Sequence, residues 1–334
     1  MEPTIQDVAR QANVSVSTVS RSFTRPELVS EHTRSRVLSI AQQLNFSISR
    51  SATALKSGQS LRVAVLISGH LNTWFNSTIV EGFNEVFSRN GYDISICQIT
   101  SGQARKEFFQ ALPVKRNVDA VIVTSFDIES SEVSRLSSIN VPILSLNVTE
   151  ENGFMASVRN DDFNGGMLSA NHLIALGHTR IAYIRSTPVA SLRFSVQARL
   201  EGFLSACRAV GIKPTVLAAP ATENPTSTVL AKLGSMRNRP TAIASQEDSL
   251  AIPLIFQLQR FGIAVPSNMS VIGYDDSRFA GDIGLTTIRQ KPYEMAVSLA
   301  KKTLQLIEGN RPENLHELIA PTLILRSSTA PLKR

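Results

Sequence analysis

Hydrophobic and polar positions alternate along this chain on two different periods. From residue 4 to about residue 46 the period is helical. Ile5, Val8, Ala9 and Ala12 recur at i, i+3, i+4 and i+7, which makes one face of a short helix apolar. Thr4 precedes it and Asp7 follows three residues on, a capping box with Asp in place of Glu. Asn13 tolerates the left-handed region and is placed to stop the helix. Ser15 is a good N-cap for a second helix running to about Phe23. At 100° per residue Val16, Ser17, Ser20 and Arg21 share its outer face, while Val19 and Phe23 turn inward. A third helix opens at Ser30, with Val37, Ile40, Ala41 and Leu44 as its stripe. Two helices joined by so short a turn read as helix-turn-helix, whose second helix enters the major groove. Arg21 can fork onto guanine or hold a phosphate, Ser17 can reach a base edge, and Val16 can meet a thymine methyl. On pattern alone, a plain amphipathic hairpin accounts for these residues equally well.

Residues 47–60 are small, polar and weakly patterned, with Gly58 near the end, and read as a linker. From Leu61 the period changes. Val63–Ile67, Ile94–Ile99, Ala120–Val123 and Ile143–Leu146 are short, continuous apolar runs, as expected of parallel strands buried on both faces. Amphipathic stretches such as Ile79–Arg89 lie between them, so the chain reads as a doubly wound parallel sheet. After Asp161 the pattern restarts. A helix over Gly165–Leu176 is followed by strands near Ile181–Ile184, Val216–Ala218, Ala242–Ala244 and Val271–Tyr274. Two such sets predict two lobes with a cleft between them, and ligands bind outside the carboxyl ends of strands in open α/β sheets.

A length of 334 residues predicts two or three domains. The net charge of +7 suits a polyanionic partner. Residues 1–60 hold seven Lys/Arg and four Asp/Glu, hence +3 of that total. Arg10, Arg21, Arg25, Arg34, Arg36, Arg50 and Lys56 are the candidate phosphate partners. Cys97 and Cys207 both sit among apolar residues and are expected to be buried thiols in a reducing cytoplasm. No signal peptide precedes Thr4, and no apolar run reaches the ~18 residues that a membrane span requires. A soluble, intracellular protein is expected.

Thr4-Ile-x-Asp-Val-Ala and Val14-Ser-Val-Ser-Thr-Val-Ser-Arg21 resemble the N-terminal signature of the lactose-repressor (LacI/GalR) family of bacterial transcription regulators. The likeness continues through Val29-Ser-Glu-x-Thr-Arg-x-Arg-Val37 and resumes as far as Arg326-Ser-Ser-Thr329. It implies a small all-α helix-turn-helix headpiece at 1–46 and a hinge at 47–60. Behind them it implies an α/β core like a periplasmic sugar-binding protein, with two doubly wound lobes. One lobe would take 61–161 with 292–320, the other 162–291 with 321–334, and the chain would cross between them near Asp161, near Lys291 and before Pro321–Arg326. The DNA-binding set is then Thr4, Ser15, Val16, Ser17, Thr18 and Arg21, together with Arg50, Ala52 and Leu55 of the hinge. Leu55 matches the family's minor-groove leucine, an apolar wedge that kinks a base step. Thr53 stands where the family carries a hinge arginine, with Arg50 as a substitute.

The same resemblance implies an effector set at the strand ends. Trp74 and Phe75 would stack on the effector. Ser125 and Asn147 end two strands, Asn147 standing where many relatives carry Asp. Arg193, Ser195 and Arg199 form one group, and Arg199 opens the family's Arg-x-x-Gly-Phe203. Glu247 replaces the family's Asn, and Asp275 matches its effector-binding aspartate. The expected effector is a small polar molecule, above all a sugar, which controls a repressor bound as a homodimer to a pseudo-palindromic operator. No heptad tail follows Ser328, so dimers rather than tetramers are expected. A stand-alone solute-binding protein or a sugar-modifying enzyme is the alternative. Gly-x-Gly-x-x-Gly after a strand and Gly-x4-Gly-Lys-Ser/Thr are both missing, and His32, His70, His172, His178 and His316 show no metal spacing. Asp282-Ile-Gly-Leu-Thr286 fits a sugar-kinase phosphate loop, but too late in the chain. No cofactor or catalytic set is expected. His172 and His178 read as dipole partners at a helix end or as packed side chains.

Overall fold

The structure is a computed structural model that describes residues 3–24, 26–46, 59–111, 118–138, 140–149, 153–187, 196–220 and 225–332. The chain forms two compact units, residues 1–61 and 62–334. Arg50, Ala52 and Leu55, with Arg25, Lys56, Arg193 and Ser195, lie outside the described residues.

The first unit contains α1 (Ile5–Ala12), α2 (Val16–Thr24), a 3-10 turn (Pro26–Leu28) and α3 (Glu31–Gln43). Both halves of the capping box are present. The Asp7 carboxylate accepts the Thr4 amide at 3.0 Å, and the Thr4 hydroxyl accepts the Asp7 amide at 3.4 Å. Asn13 ends α1 at φ 51°. Ser15 and Ser30 cap α2 and α3 through the amides of Thr18 and Thr33. The apolar stripes meet in one core of Val8, Ala9, Ala12, Val19, Val37 and Ala41, with Phe23 and Leu44 packed against it. Ser22 is buried there too, which the sequence pattern did not predict. Its hydroxyl donates to the Thr18 carbonyl at 2.8 Å, so burial leaves no polar atom unpaired.

The second unit is built on two six-stranded sheets. The first runs in the order β11-β5-β4-β3-β1-β2, with β1 (Arg62–Ser68), β2 (Asp93–Ile99), β3 (Ala120–Thr124), β4 (Ile143–Leu146), β5 (Ala156–Asn160) and β11 (His316–Ile319). The second runs β12-β10-β9-β8-β6-β7, with β6 (Ile181–Ser186), β7 (Thr215–Ala219), β8 (Ala242–Ser245), β9 (Ser270–Asp275), β10 (Thr286–Arg289) and β12 (Thr322–Ile324). All pairings are parallel except β12 against β10. The chain passes between the sheets after β5 at Asp161, after β10 at Gln290-Lys291, and between β11 and β12 at Ala320-Pro321.

Central strands β1, β3 and β4 are buried along nearly their whole length. β2 is not. It is an edge strand, alternately open to solvent, and Cys97 on it is only half-buried. Cys207 is fully buried, which pushes its thiol up to about 11.

The helices that position the strand-end residues are α4 (Trp74–Arg89), α7 (Asp162–Ala175), α8 (Val196–Ala209), α10 (Asp248–Arg260) and α12 (Pro292–Ile307), counting α5 (Gly102–Ala111), α6 (Ser130–Ser137), α9 (Pro225–Ser235) and α11 (Arg278–Asp282) in chain order. α4 starts five residues before the expected Ile79, because Thr73 caps it by accepting the Asn76 amide. α7 starts at Asp162 rather than Gly165, because the Asp161 carboxylate accepts the Asn164 amide. α7 and α8 pack backbone to backbone. A Cβ on Gly166 would run into the Arg199 carbonyl, and one on Gly202 into that of Phe163.

Candidate DNA-reading face and effector site

In the first unit, α2 presents Val16, Ser17 and Arg21 outward, with Val16 41% exposed, while Val19 and Ser22 on the opposite side are fully buried. The Ser15 hydroxyl lies 2.7 Å from that of Ser17 and 2.9 Å from that of Thr18, so the start of the helix carries a cluster of hydroxyls. Thr4 is exposed at the start of α1. Arg10 is paired with Asp7 at 2.6 Å, and Arg34 donates to the Ser22 carbonyl at 3.3 Å. Arg21 and Arg36 are exposed cations. Such a face suits a groove. It carries exposed donors that can reach base edges or phosphates.

In the second unit, Trp74, Phe75, Ser125, Asn147, Glu247 and Asp275 lie at or beyond the carboxyl ends of parallel strands, where an open α/β sheet binds its ligand, while Arg199 stands on α8. Trp74 and Phe75 open α4 and are half-buried. Asn76 behind them fixes the preceding loop, donating to the carbonyls of Ser68 and His70 at 2.9 Å each. Ser125 and Asn147 follow β3 and β4 in the left-handed region, at φ 61° and 55°. The Ser125 hydroxyl is buried without a partner among the described residues. The Asn147 side-chain oxygen accepts the Asn160 amide at 3.2 Å and ties β4 to the end of β5.

In the second sheet, Arg199 and Asp275 come together with residues that the pattern did not single out. Arg199 is 3% exposed and Asp275 7%. Arg199 Nε donates to Asp162 Oδ1 at 2.9 Å and Nη1 to the Gln246 carbonyl at 3.0 Å, and Nη1 lies 3.6 Å from Asp275 Oδ1. Its guanidinium also stacks on Tyr274, 3.9 Å from the ring centre. Asp162 Oδ1 further accepts Tyr274 Oη at 2.8 Å and Asn160 Nδ2 at 2.9 Å. Asp275 Oδ1 accepts Gln290 Nε2 at 2.6 Å. Glu247 is the half-buried N-cap residue of α10. Asp248 beside it accepts the Ser277 amide and the Thr287 hydroxyl, each at 2.8 Å. Asp162 follows the expected crossing and Tyr274 precedes Asp275, so position gave a signal for both. Gln246, Gln290 and Asn160 likewise adjoin Glu247, Lys291 and Asp161.

Electrostatics separates these carboxyls. Burial pushes Asp275 well above the usual carboxylate range; Arg199 opposes this, and Asp248 and Glu247 add to it. Burial also lifts Asp248 to about 6. For Arg199, burial works against the charge, but Asp162, Tyr274 and Asp275 outweigh it, and the guanidinium is held more firmly charged. Asn160 Oδ1, Asp162 Oδ2 and Gln290 Oε1, on residues flanking two crossovers, are buried acceptors with no donor among the described residues. Cavities of about 520 and 460 Å³ flank α12 and are lined by none of these residues. His172 and His178, expected at a helix end, are packed side chains. His172 Nε2 lies 2.9 Å from the Thr329 hydroxyl, and His178 meets Thr241, Ser270 and the Ala330 carbonyl. Among the described residues no cluster of His, Cys, Asp and Glu could hold a metal ion, and no helix is long and apolar enough to cross a membrane.

Comparison with known proteins gives this geometry a context. Residues 4–49 match the bacterial regulatory proteins of the lacI family, and residues 170–329 match a periplasmic binding protein-like domain. Residues 76–212 also match the N-terminal domain of fucose/sulfoquinovose isomerase. The HTH-type transcriptional repressor PurR of Vibrio parahaemolyticus is 28% identical, over 98% of this chain and 99% of its own length. Among solved structures, the lac repressor dimer bound to operator and the anti-inducer ONPF superposes with a TM-score of 0.83 at 26% identity, covering 99% of this chain and all of that one. A LacI regulator from a Rhodococcus species is 30% identical over 81% of this chain and 98% of its own, with a TM-score of 0.68. A LacI-family regulator from Enterococcus faecium with bound ribose is 27% identical over 81% of this chain and 100% of its own, with a TM-score of 0.70. The PurR and lac repressor that match along the whole chain are transcriptional repressors rather than enzymes. With its helix-turn-helix face, its paired α/β sheets and these full-length likenesses, the chain belongs to the lacI family of bacterial transcription regulators.

Proposed function

We propose that this repressor binds a pseudo-palindromic operator as a homodimer in the cytoplasm, and that a small polyhydroxylated effector, a sugar, bound between the two sheets of residues 62–334 controls it. The observation that carries the DNA half is the outward face of α2, where Val16, Ser17 and Arg21 are exposed over buried Val19 and Ser22. α2 enters the major groove, Thr4, Ser15 and Thr18 steady it against the backbone, and Leu55 of the hinge wedges the minor groove beside Ala52, with Arg50 as a phosphate contact. The effector reading is supported by the strand-end residues Trp74, Phe75, Ser125, Asn147, Glu247 and Asp275; Arg193 and Ser195, outside the described residues, join it through the family likeness alone. It also accords with the ribose bound by the Enterococcus faecium regulator. Arg199 acts here as the group that orients Asp275, since its Nε and Nη1 are already engaged by the protein. The effector acts only through its differential affinity for the operator-bound and free states.

The test is an operator titration at fixed salt. Arg21→Ala costs about 1–3 kcal/mol of specific binding if its fork meets a base, and weakens binding to random DNA far less. Equal losses on operator and random DNA would reduce Arg21 to a phosphate contact; no loss on either would remove it from the interface.

A further inference from the structure

Arg185 is the fifth residue of β6 and lies beside Ala218 of β7 at the carboxyl end of the sheet. Along β6, Ile181 and Tyr183 join the core that contains Leu173, Leu200 and Phe203 of α7 and α8, whereas Ala182 and Ile184 join the core on the other face. Strand alternation therefore puts Arg185 on the α8 side with Tyr183, whose phenol also feels Arg199 and Glu247. The backbone around Arg185 is fixed relative to Arg199. The Gln246 amide donates to the Ile184 carbonyl at 2.8 Å and its side chain to the Ser186 hydroxyl at 2.7 Å, while its carbonyl accepts Arg199 Nη1.

The two arginines are matched very differently. Arg199 lies against Asp162 and Asp275. Arg185 is half-buried and makes no ion pair with a described residue, and among the described residues its buried Nε has no acceptor. A buried guanidinium nitrogen left unpaired carries its full desolvation cost, which an incoming acceptor removes. Guanidinium presents parallel donors in a fixed plane, and their natural complement is a carboxylate or a phosphate rather than a single hydroxyl.

We infer that the effector carries a negatively charged group, a carboxylate or a phosphate on a polyhydroxylated ligand, and that Arg185 selects it. This rests on the effector reading above and narrows it from a neutral sugar to a sugar acid or sugar phosphate. The division of labour is then defined. Asp275 and the strand-end amides take the hydroxyls, and Arg185 takes the charge.

The experiment is calorimetry on the full chain with ribose, glucose, gluconate, glucuronate, ribose 5-phosphate and glucose 6-phosphate at two salt concentrations. At least one anion is expected to bind more than ten-fold more tightly than its neutral parent, with the advantage shrinking at high salt. The carboxylate and phosphate arms tell which anion is meant. Arg185→Gln removes most of that advantage and Arg185→Lys restores part of it, with melting temperatures reporting that each variant folds. The inference is overturned if the neutral parent binds as well as its anion, if the advantage survives Arg185→Gln, or if neither class of anion binds. Binding lost in Asp275→Asn but not in Arg185→Gln keeps the effector site and removes Arg185 from it. Binding unaffected by either variant removes the site itself.

Discussion

At the scale of single residues, the neighbours of a charge decide what it does. Asp162 and Asp275 both face Arg199, yet one holds it at 2.9 Å and the other lies 3.6 Å away. Removing a partner from a buried pair costs about 3–5 kcal/mol, because a charge is left uncompensated. Asp162→Ala is therefore expected to lose about that much in urea unfolding. Asp275→Asn should lose far less, since burial already favours the uncharged form of Asp275. Equal losses in the two variants would mean that Arg199 is balanced by both carboxylates alike. The histidines give a pH signature. Burial lowers His178 from 6.5, so the unfolded chain binds the proton more tightly than the folded one. Its contribution to stability is present at neutral pH and lost as pH falls below about 6.5. Asp248, raised by burial to about 6, works in the opposite sense, because its contribution is lost as pH rises through that value. The informative quantity is thus the difference between the wild type and His178→Gln. Melting curves between pH 5 and 8 should converge toward the acid end; curves that stay parallel would show that His178 does not titrate on unfolding.

At the scale of elements, the approach of α7 to α8 sets the geometry of the buried network. Gly166 meets the Arg199 carbonyl with no room for a side chain, and Asp162 lies one turn earlier on the same helix. Gly166→Ala must push the helices apart and lengthen the Asp162–Arg199 contact. A loss of about 1–3 kcal/mol in stability, the usual cost of overpacking, is expected together with weaker effector binding. Unchanged effector affinity in a destabilised variant would separate the packing of these helices from the site. The Thr73 and Asp161 caps act on the same scale. Each starts its helix earlier than the apolar stripe does, and the Thr73 cap brings Trp74 into the first turn of α4.

At the scale of the whole molecule, regulation requires two copies if the operator is pseudo-palindromic. α10 and α11 leave large aromatics open to solvent, Phe256 at 51% and Phe279 at 60%. Exposed aromatics on neighbouring helices suit a self-complementary face, and the lac repressor that this chain resembles was solved as a dimer. Replacing both with Lys is expected to yield monomers in sedimentation and to weaken operator binding, with half-site binding less affected. Dimers that persist in the double variant would place the interface elsewhere.

What the sequence alone determined is what local chemistry carries. The Thr4–Asp7 capping box, the αL stop at Asn13 and the Ser15 and Ser30 caps depend on residues within a few positions of one another. The apolar runs of the central strands are legible for a related reason, since burial on both faces leaves no polar position to confuse the period. Edge strand β2 was misjudged and β11 and β12 escaped, because their exposure depends on which neighbour the sheet supplies, while β10, buried inside its sheet, is too short to show a period. The candidate site divides in the same way. Arg199 and Asp275 were visible through motif likeness, but nothing within a few residues of Arg199 announces Asp162 37 positions away or Gln246 47 positions away. Tertiary structure alone brings those groups to one point and turns Arg199 from a free donor into an engaged one. It also leaves Arg185 Nε without an acceptor, because the sheet buries that nitrogen where no other described residue reaches it.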